Sequence, residues 1–206
     1  MKIGVIDYGM GNLFSVEQAL KRLGAKVVVT SDKAQLQAVD ALVLPGVGAF
    51  PDAMKRLEET SLIEFIQTTK KPLLGICLGM QLLFEESNEV TPTKGLGIFT
   101  GRIKRFEGVS RIPHMGWNNL ELQQTPNWLD IKALPAARHV YFVHSFYASE
   151  MDNNQLVAYA DYENVQVPGI VAKANFTGMQ FHPEKSGSFG VYLLTAWAKG
   201  VMNTVC

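Results

Sequence analysis

Short apolar segments alternate with helix-like segments through the first half of the chain, and this alternation constrains the fold more than any other feature. The apolar segments lie at 2–6, 26–30, 41–44 and 72–76. The helix-like segments lie at 12–23, 50–57, 62–69 and 78–86. Short apolar strands separated by helices are typical of a parallel sheet with helices on both faces. We therefore expect an α/β fold with an open, mostly parallel central sheet flanked by helices.

The second half of the chain follows a different pattern, in which turn residues interrupt short β-like runs. These runs lie at 97–100, 103–106, 119–122, 139–143 and 155–159. They predict antiparallel or mixed strands added at one edge of the sheet. Two further strands are expected at 170–174 and 176–181, and a helix at 188–199. Because no repeat, low-complexity tract or long linker divides the sequence, residues 1–206 are expected to form a single domain.

The charge balance and the cysteine content argue against several classes of protein. Lys plus Arg and Asp plus Glu each number 19, so there is no basic excess for binding nucleic acid. We expect no signal peptide, because the N-terminus lacks a basic region followed by an apolar run and a cleavage site. We expect no membrane span, because no segment approaches the roughly 18 consecutive apolar residues that a span requires. The two cysteines, Cys77 and Cys206, do not make a disulfide framework. A cytoplasmic location is expected, where thiols stay reduced.

The segment GICLG at 75–79 joins an apolar strand to a helix-like segment. A nucleophile with small residues two positions away on either side is typical of the strained turn called a nucleophile elbow. The helix that follows directs its positive end at Cys77, and the N–H of Leu78 can face a developing oxyanion. A lone cysteine in an apolar strand is usually a buried core residue. The flanking glycines favour the nucleophile instead.

The segment His182-Pro183-Glu184 follows the strand expected at 176–181. Pro183 biases His182 toward extended geometry, in which residues two apart point to the same side. Glu184 can then accept a hydrogen bond from one ring nitrogen of His182, which leaves the other nitrogen free to take the thiol proton. A nucleophile, a base and an orienting anion are the three parts of a catalytic triad.

The remaining histidines, His114, His139 and His144, are scattered along the chain and have no metal-ligand spacing. Each of them is open to a purely structural interpretation, which is the commoner one for a histidine. No metal site and no cofactor are expected.

A second glycine-rich turn, LPGVGAF at 44–50, follows the third expected strand. Its glycines permit a close approach of the backbone to a ligand, although an ordinary Pro-Gly turn is the alternative. Ligands of open α/β sheets bind beyond the carboxyl ends of the strands. This turn, Cys77 and His182 are therefore expected to share one crevice, where backbone N–H groups of the turn are candidate oxyanion donors. The spacing is not that of a phosphate-binding loop.

Three separated motifs together resemble the class I (triad) glutamine amidotransferases, and their order and spacing span nearly the whole chain. They are PGVG at 45–48, GICLGMQ at 75–81 and HPE at 182–184. Further segments resemble one branch of this family, the glutaminase subunit of imidazole glycerol phosphate synthase. They are DYGMGNL at 7–13, PHMGWN at 113–118, YFVHS at 141–145 and GMQFHPEKS at 178–186. The resemblance implies a flavodoxin-like α/β fold.

The resemblance also implies a reaction. Cys77 attacks the carboxamide of L-glutamine, His182 shuttles the proton and Glu184 orients the imidazole. Ammonia leaves, and water clears the glutamyl thioester to give glutamate. The implied substrate-binding positions are Gly46, Val47, Gly48, Leu78 and Gln81.

A partner protein is the last implication of the resemblance. The ammonia would pass to a cyclase subunit, a (β/α)₈ barrel that forms a heterodimer with the glutaminase. That subunit makes imidazole glycerol phosphate and aminoimidazole carboxamide ribotide in histidine biosynthesis. The implied interface positions are Asn12, Met115, Trp117, Tyr141 and Lys185.

Three alternatives remain open at the level of sequence. The glutaminase could serve the synthesis of anthranilate, carbamoyl phosphate, guanylate or pyridoxal phosphate. A cysteine peptidase or chaperone-like hydrolase on a similar sheet commonly has His directly after the nucleophile, where this chain has Leu78. A sensor that kept the fold and lost the chemistry is disfavoured by the intact set of Cys77, His182 and Glu184.

Overall fold

The computed structural model describes residues 1–204, with side chains through residue 200, so Cys206 lies outside the described residues. Five neighbouring strands of the main sheet are parallel: β1 (Lys2–Ile6), β2 (Lys26–Thr30), β3 (Ala41–Leu44), β4 (Leu73–Ile76) and β14 (Phe176–Met179). Three antiparallel strands extend one edge: β9 (Glu121–Leu122), β12 (Leu156–Tyr162) and β13 (Val165–Lys173). The order is β2-β1-β3-β4-β14-β13-β12-β9. The expected α/β fold with antiparallel additions is confirmed.

Helices cover both faces of this sheet. They are α1 (Leu13–Arg22), α2 (Lys33–Gln37), α3 (Phe50–Glu59), α4 (Ile63–Thr68), α5 (Leu78–Gln81) and α6 (Gly187–Thr204). Strand β3 shows the two-sided burial, because Ala41 and Val43 belong to one apolar cluster and Leu42 and Leu44 to the other. In the part of the chain that the structure describes, no helix combines the length and the apolar character needed to cross a membrane.

Two small sheets lie outside the main one and were not expected from the sequence. Strands β8 (His114–Asn119) and β10 (His139–His144) form an antiparallel pair. The other sheet has the order β11-β7-β5-β6 and consists of β5 (Glu86–Ser87), β6 (Thr93–Lys94), β7 (Arg102–Arg105) and β11 (Phe146–Ser149). The second half of the chain therefore adds four strands to the main sheet, the antiparallel β9, β12 and β13 and the parallel β14, and places its other strands in the small sheets.

Two expected elements are wrong, and one cause explains both. The helix expected at 78–86 ends at Gln81, and the segment 97–100 is not a strand. The carbonyl of Leu82 accepts from the N–H of Leu96 at 2.8 Å, and the carbonyl of Leu83 accepts from the N–H of Ile98 at 2.8 Å. The later segment thus satisfies the carbonyls that a longer helix would have used.

The carboxyl ends of three adjacent strands bring the predicted motifs together. Strand β4 lies between β3 and β14, with Leu44 opposite Gly75 and Met179 opposite Ile76. All three strands run in the same direction, so the chain leaves each of them at the same edge of the sheet. The turn at 45–48, Cys77 and His182 meet at this edge.

Candidate active site

Cys77 occupies a strained turn between β4 and α5. Its φ of 54° and ψ of −113° lie in a region that residues with a side chain rarely adopt. Its N–H donates to the carbonyl of Met179 at 2.8 Å. A β-carbon added at Gly79 would collide with the carbonyl oxygen of Leu44. Only glycine therefore lets this turn pack against the end of β3, as the elbow interpretation predicts.

His182 contacts both other members of the predicted triad. Its Nδ1 lies 2.8 Å from Oε1 of Glu184, and the Cys77 side chain is close enough to raise the pKa of its ring. The Glu184 side chain is only 1% exposed. Burial lowers the pKa of His182, but the hydrogen bonds and negative charges of Cys77 and Glu184 raise it overall to about 9. The site therefore stabilises an imidazolium beside the sulfur.

The geometry that joins His182 to Glu184 differs from the expected one in one respect. His182 itself is extended, but Pro183–Lys185 form a single 3₁₀ turn rather than a continued strand. The turn folds Glu184 back over the imidazole, so the pairing does not depend on the side-chain alternation of a strand. Spacing thus predicted the right pair of residues, but a 3₁₀ turn, and not strand geometry, brings them together.

Ser186 holds the backbone of His182 and was missed at the level of sequence. Its hydroxyl donates to the carbonyl of His182 at 2.6 Å and accepts from the N–H of Tyr141 at 2.9 Å. The N–H of His182 in turn donates to the carbonyl of Tyr141 at 3.1 Å. These bonds fix the base against β10. The signal was weak, since a serine four residues after a histidine is common.

The turn at 45–48 packs directly on the nucleophile elbow. A β-carbon at Gly46 would lie 2.7 Å from the backbone nitrogen of Gly79 and 2.8 Å from the hydroxyl of Tyr8. That hydroxyl donates to the carbonyl of Pro45 at 3.0 Å. Burial, and then the negative charge of Cys77, raise the pKa of Tyr8 above its usual range. Tyr8 was not singled out before, although it lies in the DYGMGNL segment.

A cavity of about 430 Å³ contains most of the predicted site. The predicted positions that line it are Val47, Gly48, Cys77, Leu78, Gln81, His182 and Lys185. Gly46 is buried behind it, against the elbow. Two further lining residues, Glu89 and His144, had no predicted role in it. Within the described residues, no group of three His, Cys, Asp or Glu side chains could hold a metal ion.

The predicted interface positions lie on four segments: the start of α1, β8, β10 and the 183–185 turn, where Lys185 lines the cavity. Met115 and Trp117 on β8 are 57% and 58% exposed, although both are large and apolar. Tyr141 pairs with Trp117 across the β8–β10 ribbon. The side chain of Asn12 caps α1 by accepting from the N–H of Ser15 at 3.2 Å. Their role in binding a partner stays a prediction.

Comparison with known families agrees with this geometry. The family model described as "Glutamine amidotransferase class-I" matches residues 4–195. The chain belongs to this family. Imidazole glycerol phosphate synthase subunit HisH of Geobacillus thermodenitrificans (strain NG80-2) is 50% identical over 204 residues, covering 95% of this chain and 94% of that relative. The subunit of the same name from Bacillus anthracis (strain CDC 684 / NRRL 3495) is 49% identical over 206 residues, covering 98% and 96%.

Solved structures show the same amidotransferase fold at much lower identity. One described as a crystal structure of glutamine amidotransferase has a TM-score of 0.75 at 20% identity, covering 97% of this chain and 98% of its own. The structure of PurLQS from Thermotoga maritima has a TM-score of 0.73 at 17% identity, covering 100% and 99%. At these identities the likeness supports the fold alone. The predicted family and its fold are confirmed.

Proposed function

We propose that this chain, as a single glutamine amidotransferase type 1 domain of residues 1–206, is the glutaminase subunit of an imidazole glycerol phosphate synthase. It hydrolyses L-glutamine to glutamate and ammonia through a cysteinyl thioester. The observation that carries the proposal is the arrangement of the triad: Cys77 and His182 line one cavity, and the buried Glu184 contacts His182 from behind it. The chain that holds this triad is 50% identical to a subunit of that name.

The chemistry begins from the pair in which the Cys77 proton already lies on Nε2 of His182, as the raised pKa of the imidazole favours. The sulfur then attacks the carboxamide carbon, and the developing oxyanion accepts hydrogen bonds from the N–H of Leu78 and from the turn at 46–48. The tetrahedral intermediate collapses as His182 gives its proton to the departing nitrogen, and ammonia leaves. Water then attacks the thioester while His182 takes a proton from it. Glutamate leaves, and the thiol is restored.

The turn at 45–48, called the oxyanion turn below, is the proposed point at which the partner controls activity. Tyr8 and Gly79 constrain the Pro45–Gly46 end of the turn, whereas Val47 is 44% exposed. A peptide flip at Val47 or Gly48 would present or withdraw an oxyanion donor without disturbing the triad. We therefore expect weak activity in the isolated chain.

The substrate pocket combines polar groups that suit an α-amino acid amide. Gln81 supplies an amide beside the nucleophile, and the carboxylate of Glu89 lines the same cavity. An anion there complements the α-ammonium group of glutamine. The exposed Lys185 at the same cavity is placed to meet either the α-carboxylate or a partner.

The proposed partner is a (β/α)₈ cyclase subunit that receives the ammonia. The curated relatives are themselves named as subunits of a synthase. Ammonia that escapes is protonated in water and lost, so a partner that both receives it and switches on the site prevents waste of glutamine. Asn12, Met115, Trp117, Tyr141 and Lys185 are the proposed contacts. A reactive Cys77 thiol supports a cytoplasmic location, where thiols stay reduced.

The test is a glutamate-release assay on the chain alone, with the cyclase subunit, and with that subunit and its ribotide substrate. We expect strong stimulation in the last case and none for Cys77→Ala. Equal turnover with and without the partner would contradict the proposed control. A glutamine-analogue electrophile should alkylate Cys77, and excess glutamine should block it. If no labelling occurs even with the partner present, the chain is a sensor rather than a glutaminase.

A further inference from the structure

A continuous series of hydrogen bonds runs along one wall of the substrate cavity, from strand β8 to the nucleophile. Its members, in order, are Asn118, His114, His144, the carbonyl of Phe146, Gln81, Gln180 and Cys77. His114 and His144 are 2% and 7% exposed, and neither has a part in the triad chemistry. Buried histidines beside a reaction centre need a physical explanation.

The partners of the two rings determine where each proton lies. Nδ1 of His144 is 2.8 Å from the carbonyl oxygen of Phe146, so it must carry the proton and donate. Nε2 of His144 lies 3.1 Å from Nδ1 of His114, and only one of these two nitrogens can carry the proton of the bond between them. Nε2 of His114 accepts from the side-chain amide of Asn118 at 3.4 Å. When both rings are neutral, each therefore carries its proton on Nδ1.

The surroundings of these rings agree with the neutral form. Burial lowers the pKa of His114 to about 4. Burial is also the main reason why the pKa of His144 falls to about 3. The His114 ring is stacked between Phe142 and Tyr162, with centroid distances of 4.5 and 4.0 Å. Aromatic packing thus fixes the plane of the ring, and the hydrogen bonds fix its rotation.

Gln81 is the point at which this series reaches the substrate cavity. Its Nε2 donates to the carbonyl of Phe146 at 2.9 Å and to Oε1 of Gln180 at 3.0 Å. A side-chain amide has two N–H hydrogens, so both are used. Oε1 of Gln81 is therefore the polar atom left to accept from a substrate. The Phe146 carbonyl receives hydrogen bonds from both His144 and Gln81, which anchors it at the junction.

We propose that His114 and His144 are positioning residues that hold the amide of Gln81 with its oxygen toward the substrate. This inference rests on the proposed glutaminase function. It also gives β8 a physical connection to the cavity, since the strand carries His114 as well as the exposed Met115 and Trp117. Without the His144 donor, the Phe146 carbonyl loses one of its two anchors, and the Gln81 amide can rotate.

Two substitutions at His144, compared in the complex with the cyclase subunit, separate the hydrogen bond from the packing. His144→Asn keeps an N–H donor near the position of Nδ1, whereas His144→Leu fills similar space with no donor. We expect His144→Leu to raise KM for glutamine roughly threefold to tenfold, the effect of one lost hydrogen bond. His144→Asn should stay within about twofold of the unmodified chain. The kcat values and the reaction of Cys77 with iodoacetamide should change little in either, because the triad is untouched.

The outcomes separate this inference from the proposed function. If the unmodified complex releases no glutamate, the proposed function fails. If it is active and both variants match it, or both raise KM equally, the positioning role is wrong.

A measurement on the unmodified chain covers the case in which His144→Leu does not fold. Long-range ¹H–¹⁵N spectra of ¹⁵N-histidine-labelled protein report which ring nitrogen carries the proton. We expect neutral Nδ1–H rings for His114 and His144 at pH 7. An Nε2–H ring or an imidazolium at His144 would overturn the inference.

Discussion

Nδ1 of His182 lies 2.8 Å from Oε1 of Glu184, and the carboxylate is almost completely buried. A carboxylate only accepts, so Nδ1 must carry a proton, and Nε2 is the nitrogen available to Cys77. Glu184 thus determines the tautomer of His182 and places a negative charge beside its imidazole ring. Its second oxygen, Oε2, is buried without a hydrogen-bond partner among the described residues. The hydrogen bond to His182 is therefore the main interaction that stabilises the negative charge of the carboxylate.

Glu184→Gln should lower kcat for glutamate release by about 10²-fold or more. The amide can still contact the ring, but it does not supply the charge that stabilises the imidazolium. Glu163→Gln is a matched control, because Glu163 is an exposed carboxylate that accepts hydrogen bonds from Ser110. Steady-state glutamate-release assays that compare kcat for the two variants test this prediction. Equal kcat values for the two would show that Glu184 is only structural.

The raised pKa of His182 predicts a pH dependence of folding stability. The value in the folded chain is about 9, against 6.5 for the ordinary side chain. A group whose pKa is raised by folding contributes stability below pH 6.5, and this contribution disappears as the pH rises through 9. The free energy of unfolding should therefore fall by up to about 3 kcal/mol across that window.

Urea unfolding at several pH values measures this slope. Cys77→Ser removes the thiolate that supplies part of the shift, so its unfolding free energy should decline less between pH 6.5 and 9. Parallel pH curves for the variant and the unmodified chain would contradict the assigned cause.

Tyr8→Phe should loosen the oxyanion turn without touching the triad. The substitution removes the hydrogen bond to the Pro45 carbonyl and leaves that buried acceptor unpaired. We expect kcat to fall about tenfold while KM for glutamine changes little, because the turn acts mainly on the oxyanion. Tyr192→Phe is the control, since its hydroxyl also donates to a carbonyl, that of Asp130, but at the surface. A kcat for Tyr8→Phe equal to that of the control would exclude the role.

The sequence predicted those parts of the fold that local pattern determines. The runs at 2–6, 26–30 and 41–44 became strands with the same bounds, because each is a short apolar segment next to a clear turn or helix signal. The elbow at 75–79 was predictable because its constraint is local and steric. Features that depend on distant partners were not predictable. The helix that begins at residue 78 ends earlier than predicted. The carbonyls of Leu82 and Leu83, just after its end, accept hydrogen bonds from the backbone N–H groups of Leu96 and Ile98 instead.

The same limit applies to the candidate site. Cys77, His182 and Glu184 could be predicted, because they lie in short motifs whose residue types and spacing are typical of a catalytic triad. Tyr8 and Glu89 act on segments 37 and 39 residues away in sequence, and no local pattern indicates such a contact. Glu89 in particular follows a region that was expected to be helical and reaches the cavity only because the chain turns after Gln81.

Glu89→Gln tests the proposed recognition of the α-ammonium group. One oxygen of Glu89 accepts from the N–H of Phe50 at 2.8 Å, and glutamine can keep that bond through its amide oxygen. Burial raises the pKa of Glu89, the hydrogen bond from Phe50 opposes the rise, and the nearby Asp52 adds to it. A substrate cation would relieve this cost of burying the carboxylate.

The variant should therefore raise KM for glutamine about tenfold with a smaller change in kcat, since an ammonium–carboxylate contact acts on substrate binding. The inhibition constant of glutaric acid monoamide, which lacks the α-ammonium group, should be the same for the variant and the unmodified chain. Glu121→Gln, which changes an exposed carboxylate that accepts from the Asn119 side chain, should leave both constants unaltered. Equal losses of affinity for glutamine and for the monoamide would mean that Glu89 shapes the cavity rather than binding the ammonium group.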